Sequence, residues 1–244
     1  MDLWDECEDD IRNNIIDEKE QEMEKSKNLL LAKKYMVESI YRSANIEGIG
    51  ITFPETQVIC DGMSVSGYSI DEINAVNDLK KAWQWVFEHI DNAIDIDTLC
   101  QINRIAGKYT VINAGSFRDR YDEPIRVPVH NGNCYYPTLP DKEIIEQDLS
   151  KITKDKTLDS ALNLFCYICK QQIFNDGNKR TATIFANMFM IQNGLGILSI
   201  PVDKKLKFYE NLAFFYEDDK NKSMLTDFLK AYCLTGNHSN ERKF

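Results

Sequence analysis

Residues 172–182 read Gln-Ile-Phe-Asn-Asp-Gly-Asn-Lys-Arg-Thr-Ala and stand between two strongly apolar stretches. A Gly-Asn pair followed by Lys179 and Arg180 at a helix start offers free backbone N–H groups, a positive dipole end and two cations. That is an anion site, and it suits phosphates. Asp176 is the hard oxygen ligand expected where a magnesium ion bridges such phosphates. Phe174 reads as an apolar pin that holds the loop against its helices. The same letters also fit an ordinary helix–helix connection in which Asp-Gly-Asn is turn chemistry, and at this level both readings stand.

Other reactive residue types are scattered. The seven cysteines lie at 7, 60, 100, 134, 166, 169 and 233, and only Cys166 and Cys169 have C-x-x-C spacing. They sit inside the apolar run Leu162–Cys169 without a second pair or nearby histidines, so they are expected to be core thiols rather than zinc ligands. Of the three histidines, only His130 lies near the segment that carries chemistry, at the tip of a sequence-predicted hairpin.

The elements that must position these residues are mostly helical. Apolar residues at Leu29, Leu30, Ala32, Met36, Val37 and Ile40 form one helical stripe over Leu29–Asn45 that ends near Gly48 and Gly50, and a loop is expected at Phe53-Pro54. Ser69-Ile70-Asp71-Glu72 has the form of a capped helix start. Further helices are expected over Asp97–Ala106, Asp141–Ile152, Leu158–Gln172, Arg180–Gln192, Lys204–Phe215 and near Met224–Cys233. Between Pro124 and Pro140, Ile125, Val127 and Val129 alternate with Arg126, Pro128 and His130. Asn131-Gly132 then offers a two-residue type I′ turn into Cys134-Tyr135-Tyr136. The prolines demote this hairpin to a free-standing or edge ribbon. The expected fold class is all-α: a helical bundle with one small β-hairpin.

Composition narrows the function classes. Net charge is −10, which excludes a general nucleic-acid coat. Residues 1–25 hold 11 acids against three bases, so an acidic arm precedes a nearly neutral body. Such an arm solvates a chain end or docks a basic partner. No uninterrupted apolar run is long enough for a membrane span, the first ten residues are acidic rather than basic, and the cytoplasm is the expected location. The chain divides into an acidic arm (1–28), a helical segment (29–60), a core domain (61–235) and a polar tail (236–244).

The segment at 172–180 resembles the signature of the Fic family, His-x-Phe-x-Asp/Glu-Gly-Asn-Gly/Lys-Arg, with Phe174, Asp176, Gly177, Asn178, Lys179 and Arg180 matching in order and spacing. Gly115-Ser116-Phe117-Arg118 resembles the family's step ahead of the hairpin, and the hairpin resembles its substrate flap. Ser43-Ala44-Asn45-Ile46-Glu47-Gly48 resembles its inhibitory helix motif. The resemblance covers roughly residues 40–195 and implies a Fic-type helical bundle. It further implies AMP transfer from ATP to a hydroxyl of a target protein, with phosphoryl transfer in a sister branch. By that resemblance Gly177, Asn178, Lys179 and Arg180 hold ATP phosphates and Asp176 holds Mg²⁺. Val127, Val129, His130, Tyr135 and Tyr136 form the target-binding flap, and Ser43, Glu47 and Gly48 form the inhibitory segment.

Two positions depart from the pattern. Gln172 stands where the family has its histidine base, and an amide cannot take a proton near neutral pH, although it can orient a hydroxyl. Thr183 stands where the family has the second arginine, the usual partner of the inhibitory glutamate, so Glu47 is expected to face Arg180 or Lys179. The expected function is therefore an auto-inhibited protein adenylyltransferase impaired at position 172, with Gln172, Asp176 and Arg180 at the reacting centre. The alternatives are an inactive nucleotide- or target-binding regulator of the same fold, and a protein phosphotransferase.

Overall fold

The computed structural model describes residues 20–129 and 132–236. Ten helices are found among them. The sequence dictates a central pair, α7 (Leu158–Gln171) and α8 (Asn178–Gln192). From Arg180 to Ile191 every residue of α8 is buried, so this helix has no solvent face and forms the spine of the core. On one side of it lie α4 (Ile70–Glu88) and α5 (Ile96–Ala106), with α6 (Lys142–Ile152) bridging α5 and α7. On the α4 side, α2 (Met36–Ile46) and α3 (Phe53–Cys60) add an outer layer, and α1 (residues 20–34) precedes them. The pair α9 (Lys205–Glu217) and α10 (Lys222–Tyr232) completes the bundle, α10 packing on α7.

Two small antiparallel ribbons interrupt the helices. Strands β1 (Val127–Pro128) and β2 (Cys134–Tyr135) pair Val127 with Tyr135, and β3 (Ile197–Leu198) pairs with β4 (Leu234–Thr235). The second ribbon was not foreseen. Two residues are too few to show alternation, and its position is set instead by Asn187, whose amide bonds the Leu198 N–H and C=O at 2.8 and 2.7 Å.

Two sequence expectations need correction. Phe53-Pro54 is not a loop but the first turn of α3. Thr52 caps it through the Glu55 N–H, Glu55 reaches back to the Thr52 N–H at 2.9 Å, and proline in the first turn has no helical donor to lose. The Leu29–Asn45 stripe is two helices. Tyr35 leaves helical geometry with ψ 8°; its N–H closes α1 on Leu31 C=O and its C=O opens α2 by accepting the Ser39 N–H. The Asn131-Gly132 turn lies partly outside the described residues; beside it, Val129 N–H bonds Asn133 C=O at 3.0 Å, and Gly132 has a left-handed φ of 82°. His130, most of the acidic arm and nearly all of the polar tail lie outside the described residues.

The capped start of α4 forms as read, with Ser69 and Glu72 bonding each other's N–H groups. Cys166 and Cys169 are fully buried core thiols, and burial pushes Cys166 up to about 12. Helix α1 runs through the expected boundary at 28/29, and Asn28 is itself buried. Among the described residues no helix is long and apolar enough to cross a membrane.

Candidate active site

The loop between α7 and α8 is built by side chains that replace regular backbone bonds. Helix α7 ends at Gln172, whose backbone is left-handed with φ 48° and ψ 55°, a conformation that disfavours a side-chain-bearing residue by about 1–2 kcal/mol. Its amide compensates. Nε2 donates to Cys169 C=O at 2.8 Å and to the Tyr216 hydroxyl at 3.0 Å, and Oε1 accepts from Asn178 Nδ2 at 3.1 Å. Both N–H groups are spent, and one lone pair of Oε1 is left. Gln172 therefore has a donor-saturated, neutral side chain at the position where the resemblance expects a base.

Asn178 is also structural. Its Oδ1 accepts the Phe174 N–H at 3.0 Å while its Nδ2 donates to Phe174 C=O at 2.8 Å, closing the loop like a strand pair. Phe174 is fully buried and meets Phe117 edge to face at 6.0 Å, which makes it the pin that its letter suggested. Gly177, with φ 75°, is the N-cap of α8 and supplies no side-chain cap. The first-turn N–H groups of α8 thus point out of the helix end uncapped, which is the backbone arrangement of an anion site.

The charged residues gather around that end. Arg180 is 5% exposed and its Nη1 donates to Ala106 C=O at 3.2 Å and Thr110 Oγ1 at 3.1 Å, while Nη2 reaches Asp176 Oδ2 at 3.3 Å. Its Nε faces Glu47 Oε2 at 3.8 Å, and Lys179 Nζ faces Glu47 Oε1 at 3.7 Å. Glu47 Oε1 and Arg180 Nε are buried without a hydrogen bond among the described residues, so these are ion pairs at contact distance and not bonded bridges. Burial pulls the Lys179 ammonium down, but Glu47 first, then Tyr209, Cys169 and Asp176, outweigh it and leave its pKa above the ordinary value. Thr183 turns its hydroxyl back onto Lys179 C=O at 2.9 Å and plays no part in the pairing.

Glu47 stands at the C-terminal end of α2, followed by Gly48 with φ 97°. Together with Ser43, Ile46, Lys179, Arg180, Thr183 and Ile200 it encloses a cavity of about 10 Å³. One water molecule is the most that such a space holds. The Glu47 carboxylate thus occupies the Lys179 and Arg180 side of the α8 N-terminus. Asp176 lies on the open side of the loop, its side chain 62% exposed. A single exposed carboxylate beside an uncapped helix end fits Mg²⁺, which takes one or two protein carboxylates and completes its shell with phosphates and water.

The hairpin docks against the same loop. Tyr135 stacks on Tyr216 at 5.5 Å and donates its hydroxyl to Lys170 C=O at 3.1 Å, while Tyr136 is exposed. Val127 and Val129 pack on the core. Arg118 ties the two parts together, its guanidinium bonding Gln172 C=O, Gln171 C=O and Thr138 C=O. Sequence reasoning missed Asn103, Thr110, Lys170 and Tyr216. Asn103 is fully buried, accepts the Gly115 N–H at 2.7 Å and donates to Asp176 C=O and Thr181 Oγ1. The signal was present: one amide on the apolar face Leu99, Ile102, Ala106. Tyr216 gave none, being one more aromatic in an apolar stripe.

Residues 93–190 match the Fic/DOC family model, and that stretch holds the hairpin, the loop and most of α8. The bundle is a Fic-type helical fold. It superposes on a Fic-domain-containing signaling protein from Bacteroides thetaiotaomicron with a TM-score of 0.70 at 15% identity, over 88% of this chain and 91% of that one. Fic-1 from Caenorhabditis elegans superposes with a TM-score of 0.59 at 20% identity, over 90% of this chain and 70% of the other. Curated relatives include protein adenylyltransferase fic-1 of C. elegans, 27% identical over 71% of this chain and 35% of that protein. Protein adenylyltransferase Fic of Drosophila melanogaster is 27% identical over 77% of this chain and 39% of its own length. The chain thus spans little more than a third of the curated relatives' length.

Proposed function

We propose that this chain is a Fic-family protein adenylyltransferase that uses ATP and Mg²⁺, held blocked by Glu47 and slowed by Gln172. The observation that carries the reading is the uncapped N-terminus of α8, with Asp176 on its open side and Glu47 lodged against Lys179 and Arg180 on the other. In this reading the backbone N–H groups after Gly177 and the Lys179 ammonium bind phosphate oxygens once Glu47 withdraws. Arg180, tied to Ala106 and Thr110, holds its charge fixed beside them. Asp176 would hold the metal ion, which neutralises phosphate charge when bound. In-line displacement at phosphorus depends on such positioning and charge neutralisation more than on covalent help.

Gln172 orients rather than deprotonates. Its remaining Oε1 lone pair can accept a hydrogen bond from a target hydroxyl, while the hairpin lines up the target's main chain as an added strand. Losing a general base costs on the order of 10²–10⁴ in rate. The buried free thiols suit the cytoplasm, where we place the protein. The saturated amide of Gln172 favours a second reading, a nucleotide- or target-binding regulator without turnover.

Transfer from α-³²P-ATP to protein, set beside γ-³²P-ATP, tests these readings. We expect faint α-label from the unaltered chain, more from Gln172→His, and more again when Glu47→Gly is added. An imidazole at 172 keeps one N–H for Cys169 or Tyr216 and frees its second nitrogen as a base. Label from the γ-position alone would make the protein a phosphotransferase. ATP binding by calorimetry with no label from any variant would leave the regulator, and absence of binding in Glu47→Gly would sink both.

A further inference from the structure

Tyr216 belongs to α9, outside the stretch that matches the family model, yet it touches both working parts of the site. It is 5% exposed. Its hydroxyl donates to Cys169 C=O at 2.9 Å and accepts from Gln172 Nε2 at 3.0 Å. Its ring lies 5.5 Å from that of Tyr135, the planes 20° apart, and Tyr135 is the β2 residue that pairs with Val127. Lys170 clamps the arrangement from the side. Its ammonium bonds Phe215 C=O at 2.7 Å and Tyr216 C=O at 3.0 Å, and sits 4.7 Å from the centre of the Tyr135 ring.

The hydroxyl and the ring therefore do separate things. The hydroxyl fixes the rotamer of the side chain at 172, and the ring fixes how far the hairpin stands from it. If the hairpin holds a target strand, the gap between β2 and position 172 decides whether a target hydroxyl arrives in line with the phosphorus. Displacement of about 1 Å in such a geometry costs on the order of 10²-fold. We propose that Tyr216 is a positioning residue that sets the register between the hairpin and position 172, its hydroxyl orienting Gln172 and its ring seating Tyr135. This rests on the adenylyltransferase reading for its catalytic consequence but not for its mechanical one.

Two variants separate the roles, measured on the full chain in the Glu47→Gly background. Tyr216→Phe keeps the ring and should lower kcat about 3- to 10-fold, leaving the KM for target protein and hairpin amide exchange unchanged. Tyr216→Leu removes both groups and should also raise the target KM and speed exchange of the hairpin amides, Val129 among them, by at least about tenfold. ATP affinity by calorimetry should not move in either. A residue that merely filled the core would change none of these selectively. Hairpin exchange in Tyr216→Leu equal to that of the parent overturns the proposal, and so does a kcat and KM unchanged in an active parent. Where the parent binds no ATP or transfers no label, the functional reading fails, and the exchange measurement still decides the role of Tyr216.

Discussion

At the scale of single residues, the loop between α7 and α8 is closed by the neutral amides of Gln172 and Asn178, and the charges beside it are anchored from behind. Arg180 reaches Thr110, and the neighbouring Tyr109 N–H is held by Asp78 Oδ2 at 3.0 Å. Asp78 is fully buried, with Lys81 Nζ 3.7 Å from Oδ1. Burial raises its pKa, and the Tyr109 bond, Lys81, Lys108 and Arg180 only partly oppose it. The folded chain thus holds the Asp78 proton more tightly than the unfolded chain does. The stability this confers is full below about pH 3.9, the ordinary aspartate value, and is lost as pH rises through the higher folded pKa. Asp78→Asn keeps an acceptor for Tyr109 and cannot titrate. Its unfolding free energy relative to the parent should climb from acid pH until the folded pKa is passed and then level off. Urea unfolding between roughly pH 3 and pH 8 measures this, and a difference independent of pH contradicts it.

At the scale of elements, α8 is the case that matters, because it must begin without a side-chain cap if backbone N–H groups are to meet an anion. Gly177 makes that start possible. At φ 75° an added Cβ would also come within 3.3 Å of Asn103 Nδ2 and 3.4 Å of an Arg180 nitrogen. Gly177→Ala should lower stability by about 1–2 kcal/mol for the left-handed backbone and weaken ATP binding by shifting the first-turn N–H groups of α8. Unfolding and calorimetry on one preparation check it, and an unchanged affinity would remove the loop from the phosphate site. The helices were legible from the sequence because their periodicity is long and their caps are explicit, as at Ser69 and Glu72. The loop's letters were legible as well. What was hidden were bonds between distant segments, such as Asn103 to Gly115 and Gln172 to Tyr216, since single polar residues in apolar stripes carry no local pattern. The Phe53-Pro54 turn was misread because proline signals a loop and a first helical turn equally well.

At the scale of the molecule, the position of Glu47 depends on how the N-terminal helices grip the body. Residues before 29 read as an arm, since their charge pattern dominates, yet α1 continues into the body and Asn28 does for it what Asn187 does inside the core. Asn28 Nδ2 donates to Gly196 C=O at 2.9 Å and Met190 C=O at 3.3 Å, and its Oδ1 accepts the Gly196 N–H at 2.9 Å. Tyr35, bonded to Leu31 on one side and Ser39 on the other, joins α1 directly to α2, and α2 ends at Glu47. Asn28→Ala strips this partner from the buried Gly196 N–H and C=O, while Met190 C=O keeps the Leu195 and Asn193 N–H groups; the loss is about 2–3 kcal/mol, equivalent to a fall in Tm of roughly 4–12 °C for a chain of this size. If α1, α2 and the body are one cooperative unit, calorimetry shows a single transition shifted as a whole, and ATP binds more readily as the hold on Glu47 slackens. An early separate transition, with the main one unmoved, would mean that α1 is an appendage and that Glu47 is held by α2 alone.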